Sequence, residues 1–245
     1  MIDTLLLATA RIATFELQRG LTNASGFFFQ RGDRLFLVTS RHVLIDEPSS
    51  HRPNRIEIEV HTDAANLGSS TSFSMMLFNN GQAVWRQGRD AGGEVDVAVI
   101  EIDRKALPVG TVLHAFTPEH LAAPGSVEVG SNLLVVGFPL GFHDTLHHLP
   151  VVRQAVLATG WGLRFQGEGY FLTDARTHRG TSGAPVVMRA PADQSGALPW
   201  KLLGVHSGRM DMSTRDKVLD ESLGLNVAWY ADILLTLTAV TGKKG

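Results

Sequence analysis

The sequence predicts an all-β protein of two six-stranded antiparallel barrels packed together, with a helix at the C-terminus. Helical periodicity is scarce, and short β-rich runs are separated by Gly, Asn, Asp and Ser. These runs fall into two sets of about six, as expected of paired barrels. Between the sets, residues 104–130 are rich in proline and glycine and have the composition of a linker. The 245 residues are enough for one peptide chain to bury two such cores.

The predicted elements have definite boundaries. The first barrel is expected over residues 12–103, with strands at 12–17, 25–30, 35–40, 55–61, 72–77, 83–86 and 95–102. The second is expected over residues 131–228, with strands at 132–138, 151–160, 170–173, 184–188, 200–207 and 223–227. A periodic apolar stretch at 229–240 predicts the C-terminal helix, and residues 190–199 predict an exposed hairpin loop.

Composition excludes several classes of function. The net charge is −2 and no long charge run occurs, so neither nucleic acid nor a membrane is a predicted partner. The chain has no cysteine, which excludes disulfides, thiolate chemistry and cysteine-ligated metals. The N-terminus lacks the basic segment and long apolar core of a signal peptide, which favours a cytoplasmic location over secretion. No cofactor is predicted.

Three short segments carry residue types that nucleophilic catalysis uses. In residues 180–185, Ser182 lies between glycines on a tight turn before an apolar strand. His42 follows an apolar strand, and Asp96 lies at the mouth of a run that is expected to be fully buried. Each residue has a plainer interpretation when it is taken alone: a polar hairpin turn, a structural histidine and a strand-edge cap.

Together the segments resemble a known family. The order His42, Asp96, Ser182 is that of chymotrypsin. The chain is similar to the chymotrypsin-like (trypsin-fold) serine peptidases, closest to the bacterial glutamyl-endopeptidase and HtrA-type branches, without the PDZ domain of the latter. The resemblance covers most of the chain and rests on six segments in the family's order: ASGFFF at 24–29, TSRHV at 39–43, DVAVI at 96–100, VVGFPLG at 135–141, TDA and GTSGAP within 173–185, and GVHSG at 204–208.

The resemblance implies a serine endopeptidase that acts on a protein or peptide substrate. His42 would be the general base, Asp96 would orient it, and Ser182 would attack the peptide carbonyl and form the acyl-enzyme. The backbone N–H groups of Gly180 and Ser182 would form the oxyanion hole. Ser207 would offer backbone groups to the substrate and its hydroxyl to Asp96.

The resemblance also implies a specificity pocket. In the glutamyl-endopeptidase branch, the positions of Thr177 and His206 grip an acidic side chain, Gly208 lies on the same pocket strand, and Arg209 just beyond it would add positive charge at the rim. We therefore expect a preference for Glu before the cut. Gln and Asp are alternatives, since a neutral histidine suits an amide equally well. The other interpretation is that His206 is structural and the pocket accepts small apolar side chains.

One departure from the family concerns activation. The trypsin branch has an aspartate directly before the nucleophile, which pairs with a new N-terminus after zymogen cleavage. Thr181 stands there in this sequence and cannot form that ion pair. No activation of the trypsin type is expected.

Two other functions are compatible with the same residues. A pseudoprotease would bind peptides or proteins without cleaving them. A gated protease would be inactive until a regulatory protein partner docks.

A polar cluster after the start of the second barrel has a spacing that could hold zinc if the segment were helical. Flanking prolines favour a loop there, so no metal site is predicted from the sequence. The cluster consists of His143, Asp144, His147 and His148.

Overall fold

A computed structural model of the chain describes residues 2–191, 197–210 and 223–240. The first half contains strands β1 to β9 at Thr9–Glu16, Arg19–Arg31, Arg34–Thr39, Arg55–His61, Ser70–Met76, Phe78–Asn79, Gln82–Ala83, Trp85–Asp90 and Gly93–Ile102. The second half contains β10 to β15 at Asn132–Gly137, Val151–Leu157, Tyr170–Ala175, Pro185–Arg189, Trp200–Arg209 and Leu225–Tyr230. The α-helices are short: α1 at Thr4–Leu7, α2 at Arg41–Leu44 and α3 at Ile233–Leu237.

The second half confirms the prediction of a closed six-stranded antiparallel barrel. Its strands are hydrogen-bonded in the order β10-β11-β12-β15-β14-β13, and β10 pairs with β13 to complete the circle. The inward residues form a buried core that includes Val135, Phe171 and Val186. The predicted hairpin loop at 190–199 lies partly outside the described residues.

The first half does not confirm the prediction of a second closed six-stranded barrel. Its main sheet has seven strands in the order β5-β4-β1-β2-β3-β9-β8 and stays open between β5 and β8. The reason lies in the chain between those strands. Asn80 and Gly81 both adopt positive φ and close a separate two-stranded hairpin of β6 and β7. After that hairpin, β8 pairs with β9 instead of β5.

The C-terminal helix is present but shorter than predicted. The predicted stretch begins at residue 229, but residues 229 and 230 end strand β15, which pairs with β12 and β14, and only Ile233–Leu237 is helical. None of the described helices has the length and apolar character needed to cross a membrane.

A continuous apolar core joins the two halves. The first residues of the chain take part in it, because Leu5 and Ala8 are buried together with Trp200 and Leu202 of β14. The Thr4 hydroxyl donates to the carbonyl of Ala197 at 2.7 Å. The N-terminal segment is therefore fixed against the second half, and the two halves meet where β9 approaches β14 and β15.

Candidate active site

The site begins where β3 ends in the single turn of α2. His42 lies in that turn, and its buried neighbours Val43 and Leu44 hold the turn against the first-half core. The backbone N–H of His42 donates to Asp96 Oδ1 at 2.9 Å, and its ring Nδ1 lies 2.7 Å from Asp96 Oδ2. Two bonds to one carboxylate fix both the position and the rotation of the imidazole ring. The His42 side chain is still 37% exposed, so its ring is accessible to a reactant.

Asp96 lies on β9 and accepts a third hydrogen bond. The Ser207 hydroxyl donates to Asp96 Oδ2 at 2.6 Å, which is the contact that the family resemblance implies. Burial alone would raise the pKa of Asp96, but the bonds from His42 and Ser207 hold it below its ordinary value. Burial acts to lower the pKa of His42, and the ionised Asp96 outweighs burial and raises it. Because the carboxylate is charged, Nδ1 carries the proton of a neutral His42 and Nε2 is the acceptor.

Ser182 stands on a turn that the first half supports. The Ser25 backbone N–H donates to the carbonyl of Ser182 at 2.9 Å, and the Ser25 hydroxyl donates to the carbonyl of Gly180 at 2.8 Å. That hydroxyl also accepts a bond from the Phe138 N–H at 2.9 Å. Ser25 of β2 thus joins the serine turn to the end of β10. Sequence reasoning noted Ser25 only as part of a strand, since contacts between distant segments leave no local signal.

Glycine is required at both ends of this turn. Gly180 has φ +90°, and a Cβ atom there would lie 2.6 Å from the Phe138 carbonyl oxygen. Gly183 has φ +85°, and a Cβ atom would lie 2.2 Å from the Ser25 carbonyl oxygen. The turn is therefore packed against backbone on both sides, which leaves it little freedom to move.

Among the residues that the structure describes, two N–H groups of the turn bind protein carbonyls and two do not. The Thr181 N–H donates to the His178 carbonyl at 3.2 Å, and the Gly183 N–H donates to the His206 carbonyl at 2.7 Å. Within the described residues, the N–H groups of Gly180 and Ser182 donate to no protein acceptor. These two donors were the ones predicted for an oxyanion hole, and they are free to bind a ligand oxygen.

The serine hydroxyl donates its hydrogen bond to a residue other than the histidine. Ser182 Oγ donates to the carbonyl of Ser207 at 3.0 Å, and no hydrogen bond to His42 is present among the described contacts. His42, Gly180 and Ser182 nevertheless line one cavity of about 590 Å³. A rotation of the Ser182 side chain is needed before Oγ can donate to His42 Nε2.

None of the five predicted substrate-binding residues lines this cavity. Ser207 contacts the Asp96 carboxylate, and Arg209 is exposed at the end of β14. Thr177 and His206 are buried, while Gly208 is half-buried. The prediction that they form one pocket stays a prediction.

Asn226 is a buried polar neighbour that sequence reasoning missed. The Thr177 hydroxyl donates to Asn226 Oδ1 at 2.5 Å, and Asn226 Nδ2 donates to the Ala175 carbonyl at 2.6 Å. The signal was present, because Asn226 interrupts the apolar residues of β15 at an inward position.

His206 is 2% exposed, and its Nδ1 has no hydrogen-bond partner among the described residues. Burial, together with the nearby His42, lowers the pKa of His206 to about 4. A protonated His206 is thus disfavoured at pH 7, and the ring is a neutral donor and acceptor.

His206 should make folding stability depend on pH. Its folded pKa lies below the ordinary value of 6.5, so its neutral form adds stability above pH 6.5, and that stability is lost as pH falls toward 4. We expect the wild type to lose about 3 kcal/mol more than a His206→Gln variant between pH 7 and pH 4. Urea unfolding of both proteins across that range measures the difference. Parallel stability curves would show that His206 titrates normally.

Comparison with known proteins gives the following similarities. The model of the trypsin-like peptidase domain matches residues 24–190, more than half of the chain. The fold is similar to that of a serine endoprotease from Yersinia pestis, with a TM-score of 0.54 and 18% identity over 94% of this chain and 61% of that one. It is also similar to the inactive form of the Rv3671c protease of M. tuberculosis, with a TM-score of 0.50 and 17% identity over 96% and 91% of the two chains. At these identities the likeness establishes the fold. No curated protein matches the sequence.

Proposed function

The chain belongs to the family of trypsin-like peptidase domains, and on this premise we propose that it is a serine endopeptidase whose nucleophile is Ser182. The observation that carries the proposal is the pair of hydrogen bonds from His42 to Asp96, beside a serine that lines the same cavity. The chain spans 61% of the length of the Yersinia pestis protease, so the proposal concerns this domain.

The proposed reaction follows from these positions. Once Ser182 Oγ turns to His42 Nε2, the ring takes its proton as Oγ attacks the substrate carbonyl carbon. The imidazolium that forms is stabilised by Asp96, which is already ionised. The N–H groups of Gly180 and Ser182 bind the developing oxyanion. His42 then protonates the leaving amine, and water releases the acyl group from Ser182 by the same route.

For specificity, we retain the preference for Glu or Gln before the cut, with Asp as an alternative. Thr177, His206 and Asn226 are buried polar residues, and an apolar pocket would not need them. A neutral His206 can donate one N–H to a carboxylate or accept from an amide. Arg209, which is exposed, would contribute charge at the rim of the proposed pocket.

Two measurements test the proposal together. A fluorophosphonate probe should label the wild type, and Ser182→Ala should abolish the labelling because the nucleophilic oxygen is gone. A peptide library digested by the wild type should be cut after Glu or Gln, with Ser182→Ala as the blank. Equal cleavage after Ala, Leu and Glu would reject the specificity, and absence of both labelling and cleavage would reject an active endopeptidase.

One observation favours the gated alternative over the pseudoprotease. Ser182 Oγ is engaged by the Ser207 carbonyl, which holds the nucleophile away from His42 while every catalytic side chain is present. A partner or substrate strand that occupies the Ser207 carbonyl would release the hydroxyl. Labelling that appears only after a bound peptide or partner is added would select this alternative.

A further inference from the structure

Three metal-ligating side chains meet outside the catalytic site. Glu59 lies on β4 of the first half, while His143 and His148 lie in the segment that follows the turn Pro139–Gly141 of the second half. One ligand atom from each residue lies within 4.8 Å of the others. We propose that these three residues form a Zn²⁺ site that ties the two halves of the protein together.

His143 is held in the form that binds zinc. Its Nδ1 lies 2.7 Å from the carbonyl oxygen of Gly141, so Nδ1 carries the proton and donates it. Nε2 is left with its lone pair. Zinc-binding histidines commonly donate their second N–H to a carbonyl in this way, which orients the ring toward the metal.

His148 supplies a buried atom with no hydrogen bond. Its Nδ1 lies 2.9 Å from Glu59 Oε1, yet the two atoms lack hydrogen-bond geometry, and Nδ1 has no other partner among the described residues. The rings of His143 and His148 are stacked with centroids 5.9 Å apart. A cation bound by the nitrogen lone pair and the carboxylate oxygen would give Nδ1 the partner that it lacks in the described part of the chain.

Two hydrogen bonds hold the Glu59 carboxylate in place. The Ser70 hydroxyl donates to Oε1 at 2.8 Å, and Arg11 donates to Oε2 at 2.9 Å. Arg11 contacts Oε2, so Oε1 is the oxygen that faces His148. Because the salt bridge to Arg11 partly neutralises the Glu59 carboxylate, we expect micromolar rather than nanomolar zinc affinity.

The ligand types select the metal. Two imidazoles and one carboxylate suit Zn²⁺, whereas Mg²⁺ and Ca²⁺ prefer oxygen ligands only. Ligand atoms around a tetrahedral zinc lie about 3.4 Å apart, given bonds of about 2.0–2.2 Å. The ligand atoms of Glu59, His143 and His148 lie within 4.8 Å of one another, so only small side-chain shifts are needed to bind zinc. Water would fill the fourth coordination position.

Of the polar cluster noted in the sequence at residues 143–148, only His143 and His148 belong to the proposed site. His147 Nδ1 pairs with Asp144 Oδ2 at 2.7 Å, and both side chains are exposed. Neither belongs to the group of three, and Glu59 of the first half completes the group instead. His147 is therefore a matched control, since it is a histidine of the same segment that should not bind the metal.

Calorimetric titration of untagged protein, freed of metal with EDTA and then desalted, tests the site with Zn²⁺ alone. We expect one Zn²⁺ per chain and a higher unfolding temperature when it is bound. Glu59→Gln and His143→Ala should each weaken binding at least about tenfold. His147→Ala should bind as the wild type does.

Absence of saturable binding would overturn the site, as would equal affinity in the wild type, Glu59→Gln and His143→Ala. Thermal unfolding in EDTA shows whether each variant folds. If His143→Ala does not fold, the nearly isosteric Glu59→Gln decides the question.

Discussion

Asp96→Asn is expected to lower kcat about 10⁴-fold. The Asp96 carboxylate accepts bonds from two donors of His42 and from the Ser207 hydroxyl, and an amide has only one oxygen with which to accept. If that oxygen keeps the backbone N–H of His42, the new NH₂ group faces Nδ1. The ring must then carry its proton on Nε2, where it cannot act as a base.

The pH dependence separates this effect from simple distortion of the site. Asp96 raises the pKa of His42, so the acid limb of kcat/KM, which follows the neutral form of His42, should move to lower pH in Asp96→Asn. Ser207→Ala is the comparison, because it removes one bond to Asp96 and keeps the charge. We expect that variant to lose about 10- to 100-fold in kcat. A similar loss and the same pH profile in both variants would argue against the tautomer explanation.

Gly183→Ala is expected to destabilise the protein by about 4 kcal/mol. Part of the cost is the positive φ of +85°, and the larger part is the clash of the new Cβ with the Ser25 carbonyl oxygen and Thr39 Oγ1, each 2.2 Å away. Neither atom can move freely. The Thr39 hydroxyl donates to the Ser25 carbonyl at 2.8 Å, and both lie in buried strands. Urea unfolding measures the loss.

Gly130→Ala is the matched control. Gly130 has the same φ of +85°, and a Cβ atom there would meet nothing within 4 Å. That variant should cost only about 1 kcal/mol, the price of the left-handed backbone. Equal losses at the two glycines would mean that the serine turn can shift away from Ser25.

Much of the fold could be predicted from local pattern. The second barrel could be predicted because its strands are short apolar runs separated by turn residues. Strand β10 is one such run, and most of its residues are buried. The hairpin of β6 and β7 was missed, although Asn80-Gly81 is a strong turn signal, because its strands are only two residues long. The C-terminal helix was predicted to be longer than it is, because its apolar residues continue from the end of β15 at Trp229 and Tyr230 without a break in the pattern.

The candidate site was predictable in part for a related reason. His42, Asp96 and Ser182 each stand in a recognisable local segment, and the structure brings the first two into contact and places the third on the same cavity. Ser25 and Asn226 act through contacts with residues far along the chain, and so does Glu59 in the proposed zinc site. Only the folded chain reveals such partners.

The support that Ser25 gives to the serine turn has a consequence for biosynthesis. The ribosome makes Ser25 first, and Gly180, whose carbonyl accepts from the Ser25 hydroxyl, follows 155 residues later. At about 5–20 residues per second, that interval lasts on the order of 8–30 s. During this interval the growing polypeptide contains Ser25 and His42 but not the serine turn. The contact between Ser25 and the turn can form only after the part of the second barrel that carries the turn has emerged. The proposed peptidase activity therefore cannot arise in the nascent chain before the serine turn has been made.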